Sequence, residues 1–342
     1  MDKNYTVVFP EPRKIELVES EIPEIGDNEF LLKTIVSQIS MGTELTMLMG
    51  NVSEDSGWNK NFKYPVKPGY SNIAEVIKIG KNVDPAMLGK RYINGATHTK
   101  YHVANISRFE NENDTMLEVP ENVTNDEAVF RALCGVAMAS IRAKEVRPGT
   151  VALVFGAGIV GQLVARLAKI AGAVKVIVAD ISDDRLSYVP KEAGFYAVNS
   201  GKVDIEQYIS ELTDGHKADI VYESTGNGNL VSMELKCVAR RGTLIITSSP
   251  KQPSLIDMFY VSGQGITIIG AHNWAIHPKK ITDDNPWNHR NDAKYILELM
   301  SHKNLHLEEM VTRHVSYKDA VSIYEQLMVE RTGDLAIHFD WE

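Results

Sequence analysis

The stretch "VALVFGAGIVG", residues 151–161, constrains this chain more than any other. Five apolar residues lead into Gly156, Gly158 and Gly161, and a helical pattern follows directly. A G-x-G-x-x-G run is weak evidence by itself, but a strand before it and a helix after it give each glycine a physical task. Gly156 permits the tight turn, Gly158 lets a pyrophosphate approach the backbone, and Gly161 lets strand and helix pack closely. Ile159 and Val160 then open a helix whose N-terminus offers N–H groups and positive dipole to phosphate oxygens. The next strand, "KVIVAD", ends on Asp180, a carboxylate suited to accept hydrogen bonds from adenosine ribose hydroxyls. Its charge repels a 2′-phosphate, so NAD(H) is expected over NADP(H). Arg185, close behind, tempers that preference, because an arginine can reach a phosphate. Thr225 and Ser248, at the ends of "DIVYES" and "TLIITSS", are further candidates for cofactor contact, since ligands of such sheets bind beyond the strands' carboxyl ends.

The surrounding pattern divides the chain. Residues 1 to about 120 carry irregular β-rich runs ("YTVVF", "KIELVE", "FLLKTIVSQIS", "NIAEVIKIG") separated by turn signals, as in an antiparallel or barrel-like domain. From about 123 to 273, strands such as "KVIVAD" and "ITIIGA" alternate with helical segments, including "NDEAVFRALCGVAMASIRAKEV" with Asn125 as its expected cap and "NLVSMELKCVARRG". This is the signature of an open, doubly wound α/β sheet. Residues 274–342 add helices at 291–301 and 317–330 and a last strand, "GDLAIHFDW", expected to return to the first domain.

A chain of 342 residues accommodates two such cores. Its 36 Lys and Arg against 45 Asp and Glu give a net charge of −9, so nucleic acid and anionic membrane are poor partners. No run of 18 apolar residues suggests a membrane span. Two cysteines, Cys134 and Cys237, make a disulfide framework impractical and point to a reducing, cytoplasmic setting.

These motifs together resemble the medium-chain dehydrogenase/reductase superfamily over nearly the whole chain. "KPGYSNIAEVIKIGKNVDPAMLGKRY" is similar to the family stretch running from "GHE" to "GDRV", and "GHKADIVYESTG" to its "GADVVIEATG". The resemblance implies a GroES-like β-barrel domain, residues 1–122 and 274–342, around a Rossmann domain, residues 123–273. It also implies a homodimer or homotetramer acting on a small-molecule substrate in a cleft.

Zinc-dependent members of that family carry a cysteine where "ISMGTEL" has Met41, and a histidine and a glutamate where "PGYS" has Tyr70 and Ser71. The third ligand would fall near Arg131 and Ala132. A thioether and a phenol are poor partners for zinc, so no catalytic zinc is expected, and the chain lacks the cysteines of the family's structural zinc lobe. Met41 then lines an apolar wall. Thr43 matches the family's relay hydroxyl, while Thr46 replaces a histidine of that relay. Tyr70 either donates a proton to a substrate oxygen or simply fills the space of the absent metal, and a neighbouring cation would lower its pKa. Glu44 completes this group of catalytic candidates, although hydrogen bonding within its own turn is its expected use. His272 follows the last Rossmann strand and is a further acid–base candidate, or else a surface loop residue. Asn273 and Trp287 are candidates for substrate contact, with Trp58, Lys60 and Lys63 as an opposing rim or a solvated loop.

Three functions remain open from these residues. The first is a zinc-independent NAD(H)-dependent oxidoreductase acting on a secondary alcohol or ketone of a hydroxyl-rich substrate such as a sugar, cyclitol or aminosugar derivative. The second is an NAD(P)H-dependent quinone or enoyl reductase, the third a nucleotide-binding protein without catalysis.

Overall fold

The computed structural model describes residues 2–50, 63–251, 253–278, 280–331 and 333–342, in two compact units: Met1–Ala132 with Pro278–Glu342, and Leu133–His277. Trp58 and Lys60 lie outside the described residues.

The first unit is built on antiparallel pairing. Strands β1 (Asn4–Val8) and β2 (Glu16–Ser20) form a ribbon, while β3 (Glu29–Gln38) pairs with both β4 (Asn72–Ile79) and β6 (Tyr101–Asn105). β5 (Arg91–Asn94) extends the sheet from β4, and β7 (Leu117–Glu118) follows it. Long β3 is the spine because Phe30, Leu32 and Val36 are all buried along it. Phe30 and Leu32 pack with Ala74, Val76 and Met116 in one cluster.

The second unit is a six-stranded parallel sheet of β8 (Val151–Phe155), β9 (Lys175–Asp180), β10 (Phe195–Asn199), β11 (Ala218–Glu223), β12 (Val238–Ile246) and β13 (Thr267–Gly270), in the order β10-β9-β8-β11-β12-β13. All five residues of β8 are buried, as expected for a central strand covered on both faces. The order reverses at β8, the first strand in sequence, which places the crevice for a ligand at its carboxyl end.

The C-terminal segment returns to the first unit. β14 (Val311–Ser316) runs parallel to β15 (Ala336–Asp340), and β15 pairs antiparallel with β3. The observed architecture is therefore the α/β fold expected from the sequence, an antiparallel sheet domain and a doubly wound parallel sheet.

Local expectations needed correction in three places. The turn expected around Glu44 in "ISMGTEL" is instead helical: Met41–Met49 is an α-helix, because Leu45 and Leu48 fall on one face and are both buried. Each buried leucine contributes about 1.5–3 kcal/mol, which outweighs the weak helix propensity of Gly42 and Thr43. The cap before "NDEA" is Thr124 rather than Asn125, since Thr124 and Glu127 form a reciprocal capping box. "NLVSMELKCVARRG" is α-helical only over Val231–Lys236, after a 3-10 turn at Gly228–Leu230, and Val238 already enters β12 beside Ala218.

Candidate functional site

In the parallel-sheet unit, the turn after β8 has the geometry its glycines require. Gly156 has φ +95°, in the left-handed region, and its N–H donates to Ala179 O at 2.8 Å. A Cβ on Gly161 would stand 1.8 Å from Gly156 O, so no other residue fits while strand and helix remain this close. Gly158 caps the helix Ile159–Ile170 without any side-chain hydrogen bond, and a Cβ there would meet nothing within 4 Å. Open space before an uncapped helix start fits a pyrophosphate. Ile159 is buried and anchors the first turn, and Val160 beside it is half-buried.

Asp180 ties this turn to the next loop. Its carboxylate accepts from Ala157 N–H at 2.7 Å and from Ser182 N–H at 2.9 Å. Two bonds leave a carboxylate further acceptor capacity for ribose hydroxyls. Arg185 lies in the short helix Asp183–Leu186, and its carbonyl accepts from Gln162 Nε2 at 2.9 Å, which fixes it beside the cofactor helix.

Thr225 and Ser248 converge on a residue the sequence reading passed over. The buried Glu223 accepts from Thr225 N–H at 2.7 Å, Thr225 Oγ1 at 2.5 Å and Gly226 N–H at 2.9 Å, and also from the Ser248 hydroxyl. Thus both hydroxyls brace the ends of β11 and β12. The signal was present: an acid directly after the buried run Ile220, Val221, Tyr222 needs partners there. Nearby Glu234 is buried with neither carboxylate oxygen hydrogen-bonded, and burial together with the charge of Glu223 pushes its pKa up to about 9. After β13, His272 is exposed and precedes the short helix Asn273–Ile276 without capping it through its side chain. Asn273 accepts on its backbone oxygen from His277 Nδ1 at 3.0 Å, while its side-chain Oδ1 is buried without a hydrogen-bond partner.

In the antiparallel unit, Thr43 and Tyr70 come together. Tyr70 Oη lies 2.5 Å from Ser40 Oγ and is also hydrogen-bonded to the side chain of Thr43. Burial raises the Tyr70 pKa above its ordinary value, with the two hydroxyl contacts opposing and the Glu44 charge reinforcing that shift. With its pKa raised rather than lowered, the group is a neutral donor at physiological pH. Met41 is half-buried and packs against the cluster holding Leu45, Leu48, Tyr324 and Trp341. Ser71 is turned to structural use, donating to Val129 O at 2.6 Å.

Glu44 sits behind this group, fully buried. It accepts from Ser40 N–H at 2.9 Å, faces His98 Nε2 at 3.1 Å and receives the Tyr324 hydroxyl. His98 Nδ1 contacts Ser37 Oγ at 2.7 Å, and Trp341 Nε1 donates to the same oxygen at 2.8 Å. With three partners and no exposure, Glu44 holds the start of the helix Met41–Met49 and so positions Ser40 against Tyr70. His98, Tyr324 and Ser40 were not legible as site residues. Trp287, half-buried in this same unit, packs edge-on against Tyr295 at 5.7 Å, and Lys63 is exposed.

Comparison with known proteins agrees with the fold. Residues 160–282 match the family model of zinc-binding dehydrogenases. The D-xylulose reductase of Saccharomyces cerevisiae is 22% identical over 349 residues, covering 94% of this chain and 93% of that protein. A relative from Agrobacterium fabrum is matched over 59% of its own length. Two solved structures share the fold: a protein of Sinorhizobium meliloti 1021 described as a zinc-binding dehydrogenase bound to NADP, and an alcohol dehydrogenase of Escherichia coli CFT073 complexed with NADH. Their TM-scores are 0.79 and 0.80 at 16% and 15% identity, each covering 99% of this chain and 100% and 99% of the respective structure. No helix among the described residues is long and apolar enough to cross a membrane. The chain is thus similar to zinc-type dehydrogenases, by the family model over residues 160–282 and by the yeast reductase over nearly its whole length.

Proposed function

We propose that this chain is an NAD(H)-dependent dehydrogenase that interconverts a secondary alcohol and a ketone on a hydroxyl-rich substrate, and that it does so without a catalytic metal. The observation that carries the reading is the hydroxyl cluster of Ser40, Thr43 and Tyr70. It stands where, by resemblance, zinc members hold their first two ligands. The relative named as a D-xylulose reductase supports a polyol or ketose substrate.

The parallel-sheet unit supplies the nucleotide site: Gly158 leaves room for pyrophosphate, and Asp180 receives the ribose and disfavours a 2′-phosphate. Bound NADH supplies the hydride. Tyr70, neutral because its pKa is raised, donates to the ketone oxygen during reduction and recovers a proton through the Ser40 or Thr43 hydroxyl. Glu44 acts at one remove, holding Ser40 in place. His272, Asn273 and Trp287 are the candidates for substrate contact. Reduction of an activated C=C bond would need no such donor cluster.

The test compares ketose reduction by the wild type with that by Tyr70→Phe and Thr43→Ala. A loss of kcat of about 10²–10⁴-fold in Tyr70→Phe, at unchanged NADH affinity, is the expected outcome. Full turnover by both variants would remove the proton-transfer role. Efficient enone or quinone reduction with no ketose turnover would favour the second chemistry.

A further inference from the structure

We infer a divalent transition-metal site, of the kind that takes Zn²⁺ or Co²⁺, formed by His314, His338 and Asp126 and oriented by Asp340. It is separate from the hydroxyl cluster and does not depend on the proposed reaction. Among the described residues these three present ligand atoms that all lie within 4.8 Å of one another.

The fold builds this juxtaposition from three distant segments. His314 and His338 are register partners in the parallel pair β14–β15, so they share one face of the sheet. Asp340, two residues beyond His338, shares that face. Asp126 comes from the first turn of the helix Asn125–Ala128, which its capping box holds rigid. The two imidazole rings stand 5.5 Å apart at 82°, and Asp126 reaches both: Oδ1 to His338 Nδ1 at 2.8 Å, Oδ2 to His314 Nε2 at 3.3 Å.

Bond lengths near 2.0–2.2 Å in tetrahedral geometry separate neighbouring ligand atoms by about 3.4 Å. The contact of Asp126 with His314 already has that spacing, and the contact with His338 has only to open slightly. Asp340 Oδ1 lies 3.0 Å from the opposite nitrogen of His314, Nδ1. That is the carboxylate–histidine arrangement which places a proton on the outer nitrogen and leaves the inner one free to ligate.

The His338 side chain is fully buried, and its ring is held by Asp126 at Nδ1 and by edge contacts with Phe130 and His314, each at 5.5 Å. His314 and Asp126 are 43% and 35% exposed, which leaves an open side for metal entry and for water as a fourth ligand. Two carboxylates beside two imidazoles also concentrate negative charge that a divalent cation neutralises. The imidazole and carboxylate donors suit zinc and cobalt rather than calcium or magnesium. A metal here would clasp the last two strands to the helix at 125–128, a structural rather than a redox role.

The experiment uses untagged, chelator-treated full chain, titrated with Co²⁺ and followed by visible absorption, then with Zn²⁺ in competition. Bound metal is counted by mass spectrometry after dialysis, and thermal unfolding is recorded with and without metal. One metal per chain, a raised Tm on loading, loss of both in His314→Ala and Asp126→Asn, and weakening of about 10–100-fold in Asp340→Asn are expected. Metal-free melting of each variant shows whether it is folded, and exposed His314 and Asp340 are the substitutions least able to disturb the core. Absence of saturable binding, or binding unchanged in folded His314→Ala and Asp126→Asn, overturns the site. Unchanged affinity in Asp340→Asn alone overturns the orienting role.

Discussion

Tyr70 and Glu234 show how burial sets the chemistry of single residues in this protein. Tyr70 is a phenol held neutral by its surroundings. Ketose reduction should therefore show a flat pH–rate profile through neutrality and fall only at alkaline pH, where the phenol begins to ionise. A profile with a limb near pH 7 that survives in Tyr70→Phe would point to another acid. Glu234 is a carboxyl whose pKa is about 9 in the folded chain, against an ordinary 4.5. Between these values the native state keeps a proton that the unfolded chain releases, so stability declines as pH rises across that window. Glu234→Gln, permanently neutral, escapes this loss. At pH 7 it should be more stable than the wild type by about 3 kcal/mol, an advantage that shrinks toward pH 5. Urea midpoints at pH 5, 7 and 8 measure it, and parallel profiles for the two proteins would refute the account. Asp180 permits a gentler change: Asp180→Asn keeps an acceptor for Ala157 N–H but removes the charge. The ratio of kcat/KM for NADPH to that for NADH should then rise about tenfold or more.

At the scale of elements, legibility followed the range of the interactions involved. The turn at 156–161 was readable because its needs are local: a positive φ at Gly156, an approach at Gly161 that admits no Cβ, and open space at Gly158. Gly161→Ala should accordingly destabilise the parallel-sheet unit by about 1–3 kcal/mol or more and abolish nucleotide binding, measured by unfolding and by NADH fluorescence titration. The helix Met41–Met49 was hidden because "SMGTE" has the composition of a turn, and only burial of Leu45 and Leu48 decides otherwise. Glu44 looked like a turn residue for the same reason. Its partners His98 and Tyr324 are 54 and 280 residues away in sequence, a separation across which no local pattern carries information. Thr124 outcompeted Asn125 as cap because Glu127 sits three residues after it and completes the reciprocal pair.

For the molecule as a whole, alternation of β-branched strands and helical segments was enough to give the parallel sheet, and the return of β15 to β3 joins the two ends of the chain in one unit. The chemistry was less legible than the fold, since it turns on which hydroxyls converge on Tyr70. The most direct measurement is transfer of deuterium from NADH labelled at nicotinamide C4 to a ketose carbonyl carbon, using chelator-treated protein shown by melting to be folded. The account predicts stereospecific label transfer at an undiminished rate, preferring NADH to NADPH. Transfer that vanishes on chelation, and returns with zinc in a His314→Ala background where the outlying histidine cluster is disabled, would contradict it.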